Sequence, residues 1–316
     1  MGASAVAALT LTHHRGHLRP VAAATPRTSP PVTPAPAVDA GGCHGLREHV
    51  FVHPAQLRGT IAYQSNASRS WDILLASPDG SRTRPLVESG FSDEAPAWSP
   101  DGRRLAFQSN CTGHFEVYVA NLATGKVPRL TGGPWFHGHP TWAPDGDHVT
   151  IESNRTGVMQ LYVVDVPGGR LRRLTSGRWS GHPAWSADGS RIAFLRRTHA
   201  GLEIHVIAPT GRGEHRVAGP FSWVGQPEWL RGGGWIVAPV AERKGRRDVV
   251  LFDLQGNQLP MTFTGSAVTP SWLAGRLAYA TGNNAAIEVD GPHGDTVFVS
   301  GPGSQVYPRL NPASVP

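Results

Sequence analysis

The sequence predicts an all-β fold, a six-bladed β-propeller of four-stranded antiparallel blades whose ring is closed by the C-terminal strand. Two observations lead to this prediction. A tryptophan recurs five times at spacings of 43 or 44 residues, and Gly (38) and Pro (28) make up about a fifth of the 316 residues. Such a composition is typical of many short strands joined by turns. A fixed period of this length indicates a repeat architecture.

The repeat begins with a Pro-x-Trp segment, which an Asp-Gly pair follows in the three strongest copies. The five tryptophans are Trp98, Trp142, Trp185, Trp229 and Trp272. After the Asp-Gly pair comes an apolar run that ends in Ser-Asn, as in Leu105 to Asn110. A second apolar run and an Arg-Leu-Thr triplet, as at Arg129 to Thr131, complete the repeat.

Each repeat therefore contains four short strands, and Asp-Gly supplies the positive φ that a tight hairpin needs. Four strands in about 43 residues is the pattern of a propeller blade. A single blade cannot bury both of its faces, so the blades must stack in a ring. The repeated tryptophans and the Phe or Ile residues are expected to fill the gaps between blades.

The two ends of the repeat region predict how the ring closes. Ile61 to Asn66 repeats the segment of Leu105 to Asn110, so a further copy precedes the first repeat tryptophan. Tyr307 to Pro312 aligns with Ala95 to Pro100 as an extra copy of the first strand only. This strand is expected to return to the first blade and complete it. The propeller then occupies residues 46–316, after an N-terminal segment of residues 1–45.

The overall composition limits the classes of partner. The net charge is +6 and the pI is about 9.9, but the arginines are scattered and no run of basic residues occurs. We therefore expect a monomer that binds no nucleic acid, although an anionic partner stays open. No apolar stretch is long enough to span a membrane.

The N-terminal segment predicts export. Gly2 to Leu11 is an apolar run of signal-peptide length without a cationic stretch before it, as expected if the true start lies upstream. An Ala/Thr/Pro-rich linker follows. The expected location is secreted, periplasmic or cell-surface, and a disordered cytosolic tail is the alternative. In an exported protein the two cysteines, Cys43 and Cys111, could form a disulfide that pins the linker to the propeller; in the cytosol they would be free thiols.

The repeat motifs resemble those of the TolB-type, WD-repeat-like propeller family. Pro-Ala-Trp-Ser-Pro-Asp-Gly, Ile-Ala-Phe-x-Ser-Asn, Leu-Tyr-Val-Val-Asp and Arg-Arg-Leu-Thr occur in the same order, over about 260 residues. The resemblance implies six blades around a central channel. Family members include TolB, which binds protein and peptide partners, propellers of peptidases, and oligogalacturonide lyases. TolB carries an additional N-terminal α/β domain, for which residues 1–45 are too short.

The residue before each repeat proline is the first candidate site. We expect it to begin the innermost strand, near one mouth of the channel. The histidines and glutamine at this position suit a divalent metal, as the lyases use, or simply a polar channel lining. These candidate metal ligands are His53, His139, His182 and Gln226.

Aromatic residues six or seven positions before the repeat tryptophans form the second candidate site. They lie in loops that enter the innermost strands, and they either bind a ligand or pack over the seams between blades. The aromatic members are Phe91, Trp135, Trp179 and Trp223. Nearby polar residues that are expected to hydrogen-bond a ligand are Asp93, Glu94 and His137.

The favoured interpretation is an exported, non-enzymatic propeller that binds a protein, peptide or glycan on the loop face around its channel. No catalytic residue is assigned, because the sequence contains no Gly-x-Ser-x-Gly or His-Glu-x-x-His motif. No cofactor is expected in this interpretation. One alternative is a metal-assisted, oligogalacturonide-lyase-like enzyme with a divalent metal at the channel mouth. Another is a structural module of an envelope assembly.

Overall fold

The structure is a computed structural model. It describes residues 60–77, 82–87, 89–166, 168–230, 232–241, 247–260, 268–273, 276–281, 286–291, 294–300 and 305–310. Side chains are described as far as residue 260 and, beyond it, at Ser271, Ala280 and Pro308. All described residues belong to one of the two units into which the chain divides, Thr33–Pro316. Among them there is no helix that could span a membrane.

Every regular element of the described residues is a β-strand. In chain order the strands are β1 (Ile61–Ser65), β2 (Asp72–Ala76), β3 (Thr83–Val87), β4 (Asp93–Trp98), β5 (Arg104–Ser109), β6 (Glu116–Asn121), β7 (His137–Trp142), β8 (His148–Ser153), β9 (Gln160–Asp165), β10 (Leu171–Arg173), β11 (Ser180–Trp185), β12 (Ile192–Arg197), β13 (Leu202–Ile207), β14 (His215–Phe221), β15 (Glu228–Trp229), β16 (Trp235–Ala241), β17 (Arg247–Asp253), β18 (Gln258–Pro260), β19 (Val268–Leu273), β20 (Arg276–Thr281), β21 (Ala286–Gly291), β22 (Gly294–Ser300) and β23 (Gln305–Leu310).

These strands form the blades of an all-β propeller with four-stranded antiparallel blades. The four-stranded sheets have the orders β23-β1-β2-β3, β7-β8-β9-β10, β11-β12-β13-β14, β15-β16-β17-β18 and β19-β20-β21-β22. The C-terminal strand β23 thus pairs with β1, near the start of the described chain. The first strand of each sheet, called here the inner strand, contacts the inner strand of the next sheet.

One sheet departs from the expected four strands, since β4-β5-β6 has three. The segment that would be its fourth strand pairs with β6 only through isolated bridges, Tyr118 with Arg129 and Asn121 with Lys126. Pro128 lies between the two bridged positions and has no N–H group to donate, although its carbonyl accepts from Val119 N at 3.0 Å. A proline in this place interrupts the ladder of hydrogen bonds, but the segment still lies beside β6 at the outer edge of the sheet.

The hydrophobic core lies in the seams between successive sheets. Between the first two sheets it includes Ile73, Phe107 and Tyr118, and the rings of the last two lie 5.7 Å apart. The repeat tryptophans cross the seams, as the sequence predicted. Trp142 Nε1 donates to Ala97 O at 3.1 Å and Trp229 Nε1 donates to Ala184 O at 3.0 Å. Each indole therefore fills apolar space and also ties two inner strands together.

Candidate functional site

Each sheet presents two sets of loops, one at each end of its strands. The mouth face is defined here by the loops that lead into inner strands (residues 89–92, 132–136, 176–179 and 222–227) and the hairpins at 66–71, 110–115, 154–159 and 198–201. The turn face is defined by the described residues of the hairpins that follow the inner strands, which carry Asp-Gly at 99–103, 143–147 and 186–191 and three glycines at 230 and 232–234, and of the turns at 122–126, 166 and 168–170, 208–214 and 254–257. The predicted aromatic residues belong to the mouth face.

The three predicted tryptophans of the mouth face are each stacked beneath an arginine. Phe91 is exposed, whereas Trp135, Trp179 and Trp223 are half-buried. The distances from guanidinium carbon to ring centroid are 5.2 Å for Arg155 over Trp135, 5.5 Å for Arg197 over Trp179 and 4.4 Å for Arg247 over Trp223. Sequence reasoning missed these arginines because each lies about twenty residues beyond its tryptophan, on the next hairpin.

The predicted position of the histidines needs a correction. Ala95, His139 and His182 do not begin their inner strands but occupy the third position, with φ of 51°, 45° and 53°. The ladder shifts register at this point in each strand. The following proline cannot donate a hydrogen bond, and a bulge with a left-handed residue absorbs the interruption. The bulge sets each histidine two residues in from the mouth-face end of its inner strand.

A recurring polar contact holds each bulge against the preceding sheet. Gln64 Oε1 accepts a hydrogen bond from Ala95 N at 2.7 Å, and Gln108 Oε1 accepts one from His139 N at 2.9 Å. At the next seam Glu152 accepts from the backbone N–H of His182. The acceptors share one place in the repeat, directly before Ser-Asn. This shared position was the sequence signal for the three acceptors Gln64, Gln108 and Glu152, which the sequence analysis did not identify.

Glu152 forms a buried charged centre with the two histidines. Its carboxylate pairs with Nδ1 of His139, and the imidazole rings of His139 and His182 lie 4.5 Å apart. Burial alone would raise the pKa of Glu152, but the charge and hydrogen bond of His139 lower it to about 2. Burial and the charge of His139 lower the pKa of His182 to about 4. At neutral pH the centre is therefore an ionised carboxylate between a histidine partner and a neutral imidazole.

The described residues do not by themselves complete the predicted metal site. They contain no group of three or more His, Cys, Asp or Glu side chains placed to hold a metal. Within the predicted set, His139 is bound to Glu152, and Gln226 Nε2 points to Pro183 O at 3.4 Å. The fourth member, His53, lies outside the described residues. A metal at this position therefore stays a prediction, which elemental analysis of the purified chain would test.

Two of the polar residues expected to contact a ligand are buried instead. Asp93 and His137 are both fully buried at the start of their inner strands. Burial raises the pKa of Asp93 to about 6, although hydrogen bonds from Ser109 and Ser89 lower it. Burial and the charge of Arg155 lower the pKa of His137 to about 4. Glu94 remains half-buried, and Gln108 Nε2 donates to its Oε2 at 3.3 Å.

Cys111 lies on the mouth face, in the hairpin between β5 and β6. It is buried, and its Sγ lies 3.2 Å from the hydroxyl oxygen of Tyr118. Its predicted disulfide partner, Cys43, lies outside the described residues. The pairing of these two cysteines therefore stays a prediction.

The charges of the two faces differ. The described mouth-face loops contain no Asp or Glu, but they include Arg69, His114, Arg155, Arg178 and His199. Among the carboxylates at the same ends of the strands, Glu116 and Glu152 are buried, and Glu94 is half-buried. The turn face mixes both signs. Its charged residues include Asp101, Arg103, Asp145, Asp147, Arg170, Asp188, Arg191, Arg212 and Glu214.

Comparison with known proteins agrees with the geometry of the repeat. Residues 55–199 match the family model described as the TolB beta propeller domain. The chain contains a TolB-type β-propeller. No curated protein matches the chain at a significant level.

Solved structures share this TolB-type fold. TolB from Acinetobacter baumannii superimposes with a TM-score of 0.71 at 21% identity, over 81% of this chain and 67% of that one. A putative TolB from Agrobacterium tumefaciens gives 0.64 at 18%, over 79% and 91%. An oligogalacturonate lyase in complex with manganese gives 0.50 at 12%, over 78% and 75%. At such identities the likeness shows the fold alone.

Proposed function

We propose that this chain is an exported, non-enzymatic TolB-type propeller that binds an extended protein, peptide or glycan ligand on its mouth face, around the central channel. The observation that carries the proposal is the mouth face itself. There, tryptophans stacked with arginines lie at three successive seams, and Glu94, His139 and His182 lie near the mouth-face ends of inner strands, where we expect the channel to open. Rigid aromatic residues beside cations are the anchors that binding surfaces use most.

The channel at the centre of this face belongs to a proposed ring of six blades closed by β23. Six sheets occur among the described residues. Their inner strands contact one another in the order β4, β7, β11, β15, β19 and β23, and β23 also contacts β4. A closed circuit of inner strands leaves no free inner edge and supports a channel along the axis.

Binding is favoured over catalysis because the polar groups of the channel lining are already engaged with one another. Gln108 contacts both Glu94 and the backbone of His139, and Glu152 contacts His139 and the backbone of His182. Such contacts fix the positions of the inner strands. The ligand would therefore be selected by the side chains of the mouth-face loops, which are not needed to hold the inner strands together.

The test uses the purified full chain, a glycan array and a displayed library of random peptides. Ligands selected on the wild-type chain are measured again on Trp179→Ala and on Leu259→Ala, which removes an exposed apolar side chain from β18. We expect Trp179→Ala to weaken binding at least about tenfold and Leu259→Ala to leave it unchanged. Equal binding by both variants, or no selected ligand at all, contradicts the proposal.

Export is the second part of the proposal. It is supported by the apolar N-terminal run, by the Pro-rich segment that follows it and by the TolB-type fold. Fractionation of cells that make the chain, with an antibody against it, should place it outside the cytoplasm. Its recovery with the cytosolic fraction would contradict this part and leave ligand binding untouched.

A further inference from the structure

The arginine–tryptophan pairs of the mouth face recur once at each of three successive seams. Trp135 lies in the loop from the second sheet to the third, Trp179 in the next such loop, and Trp223 in the one after that. The first pair is displaced by one residue along the repeat, so it is Phe136 that occupies the position equivalent to Trp179. Each loop nevertheless carries one indole with one guanidinium over it.

Within the described part of the chain, the guanidinium groups of these pairs make no hydrogen bond or ion pair, which leaves their N–H edges for a ligand. Arg155, Arg197 and Arg247 donate no side-chain hydrogen bond to any other described residue. Other arginines are engaged: Arg196 pairs with Glu214, where Nε and Oε1 are 2.7 Å apart, and Arg172 donates to Pro209 O at 2.7 Å. A guanidinium with one face on an indole keeps its N–H edge available and loses little further side-chain freedom when it binds an anion.

The surroundings of the pairs strengthen the local positive charge. The described mouth-face loops contain no carboxylate that could neutralise it. Arg178 and His199 add cations near the middle pair, and Arg178 Nη2 lies 2.6 Å from His199 Nε2. Because each arginine covers part of a half-buried indole, less of the ring is open to stack on a neutral sugar, whereas the guanidinium edge can bind an anion directly.

We propose that these three pairs form an arc that binds a linear acidic glycan through its carboxylate or sulfate groups. The inference rests on the proposed ligand-binding mouth face and specifies the chemistry of its ligand. Cations that recur once per blade match a polymer whose negative charges also recur at a regular interval. Each guanidinium edge can hold one carboxylate or sulfate through charge-assisted hydrogen bonds. No bond of the glycan is made or broken.

The test measures binding of alginate to the full chain by calorimetry, with dextran as the neutral probe. The variants are Arg155→Gln, Arg197→Gln and Arg247→Gln, singly and combined. The matched control combines Arg103→Gln, Arg170→Gln and Arg212→Gln, which remove the same charge from exposed positions of the turn face. Urea unfolding of each variant confirms that the fold is retained.

We expect alginate to bind and dextran not to bind. Each mouth-face substitution should weaken alginate binding by about tenfold, and the turn-face control should change it little. Added salt should weaken the interaction because the contacts are exposed. An equal loss in the turn-face control overturns the proposal, since net charge would then suffice.

Four further outcomes overturn the proposal, and the first three concern charged ligands. The first is that alginate does not bind. The second is that poly-glutamate binds as tightly as alginate or more tightly, which indicates an acidic peptide. The third is that vesicles containing phosphatidylglycerol do so, which indicates a lipid surface. A neutral glycan or uncharged peptide that binds and is lost in Trp179→Ala overturns the acidic-glycan inference but leaves the proposed function standing. The two failures are therefore distinguishable.

Discussion

The mouth face and the turn face of this propeller are built from the same repeats, but they stabilise polar groups in different ways. On the turn face, polar contacts are local: Asp188 Oδ1 accepts from Ser186 Oγ at 2.6 Å and from Ser190 N at 3.0 Å. On the mouth face they cross a seam, as where Gln108 of one sheet meets the backbone of His139 in the next.

This difference explains why the turn-face hairpins are similar from blade to blade, whereas the residues that meet across a seam differ. The Asp-Gly hairpins need only nearby residues, so the same short motif serves several blades. A contact across a seam depends on two blades at once. The acceptor side chain can stay the same or change from seam to seam, from Gln64 with Ala95 and Gln108 with His139 to Glu152 with His182, because its partner is a backbone N–H group. Two predictions test the contrast between the faces, and a third compares two equivalent positions of the mouth face; they follow in order of decreasing expected effect.

The largest effect is expected from Glu152→Gln. The substitution removes the charge that partners His139 in a buried site and should lower the free energy of unfolding by about 3 kcal/mol. The matched control is Asp188→Asn on the turn face, where solvent replaces the lost interaction. Urea unfolding at pH 7 measures both. A loss in Asp188→Asn as large as that in Glu152→Gln would remove the distinction between the faces.

The next effect concerns a glycine that the mouth face requires. A Cβ atom at Gly181 would meet the Glu152 carboxylate and lie 2.7 Å from Trp179 Cζ2. Gly181→Ala should therefore cost about 1–3 kcal/mol of stability through overpacking. On the turn face, Gly168 has no atom within 4 Å of an added Cβ, so Gly168→Ala should be close to neutral. Thermal unfolding of the two variants gives the comparison, and equal melting temperatures would contradict it.

The smallest effect depends on pH and compares two equivalent positions of the mouth face. Burial raises the pKa of Glu116 from 4.5 to about 7, although a hydrogen bond from Thr131 lowers it. The same position in the next repeat is Gln160, which accepts from Thr175 Oγ1 at 2.9 Å. Between pH 4.5 and 7, Glu116 is therefore protonated in the folded state and ionised in the unfolded state. Folding takes up a proton in this window, so the free energy of unfolding falls as pH rises from 4.5 to 7.

Glu116→Gln should therefore gain stability relative to the wild type as pH rises from 4.5 to 7, by about 1–2 kcal/mol at pH 8. The reverse change, Gln160→Glu, removes donors to Gly177 O and Arg178 O and should destabilise more at pH 8 than at pH 5. Urea unfolding at the two pH values measures both. A difference between Glu116→Gln and wild type that does not change with pH would show that folding leaves the pKa of Glu116 unshifted.

Much of the fold could be predicted because it depends on local sequence. The spacing of the repeat tryptophans and the Asp-Gly pairs predicted hairpins, strands and seams, and Trp142 and Trp229 lie in the seams as expected. The fourth strand beside β6 was not found, because a single proline interrupts its ladder. The inner-strand bulges were also missed, since they arise from pairing between strands.

The candidate site was less predictable, because its geometry depends on the packing of neighbouring blades. Their place beside the loops that enter the inner strands predicted that Asp93 and His137 would contact a ligand, but the packing of the sheets buries both side chains. Sequence reasoning chose His139 and His182 without Glu152, the residue that joins them. It also chose the tryptophans without their arginines, because residues some twenty positions apart meet only when adjacent hairpins fold side by side.

The sequence by itself determined the class of fold, the length of the repeat and the places of its turns, because strand alternation and positive φ are properties of a few neighbouring residues. Only the tertiary structure decided which charges are buried and which remain on the surface. That outcome depends on what the next blade places against each side chain. The described mouth-face loops lack carboxylates in their sequence, but only the packing of the blades buries nearby carboxylates such as Glu116 and Glu152 and stacks the arginines on the tryptophans. The proposed function depends on both properties.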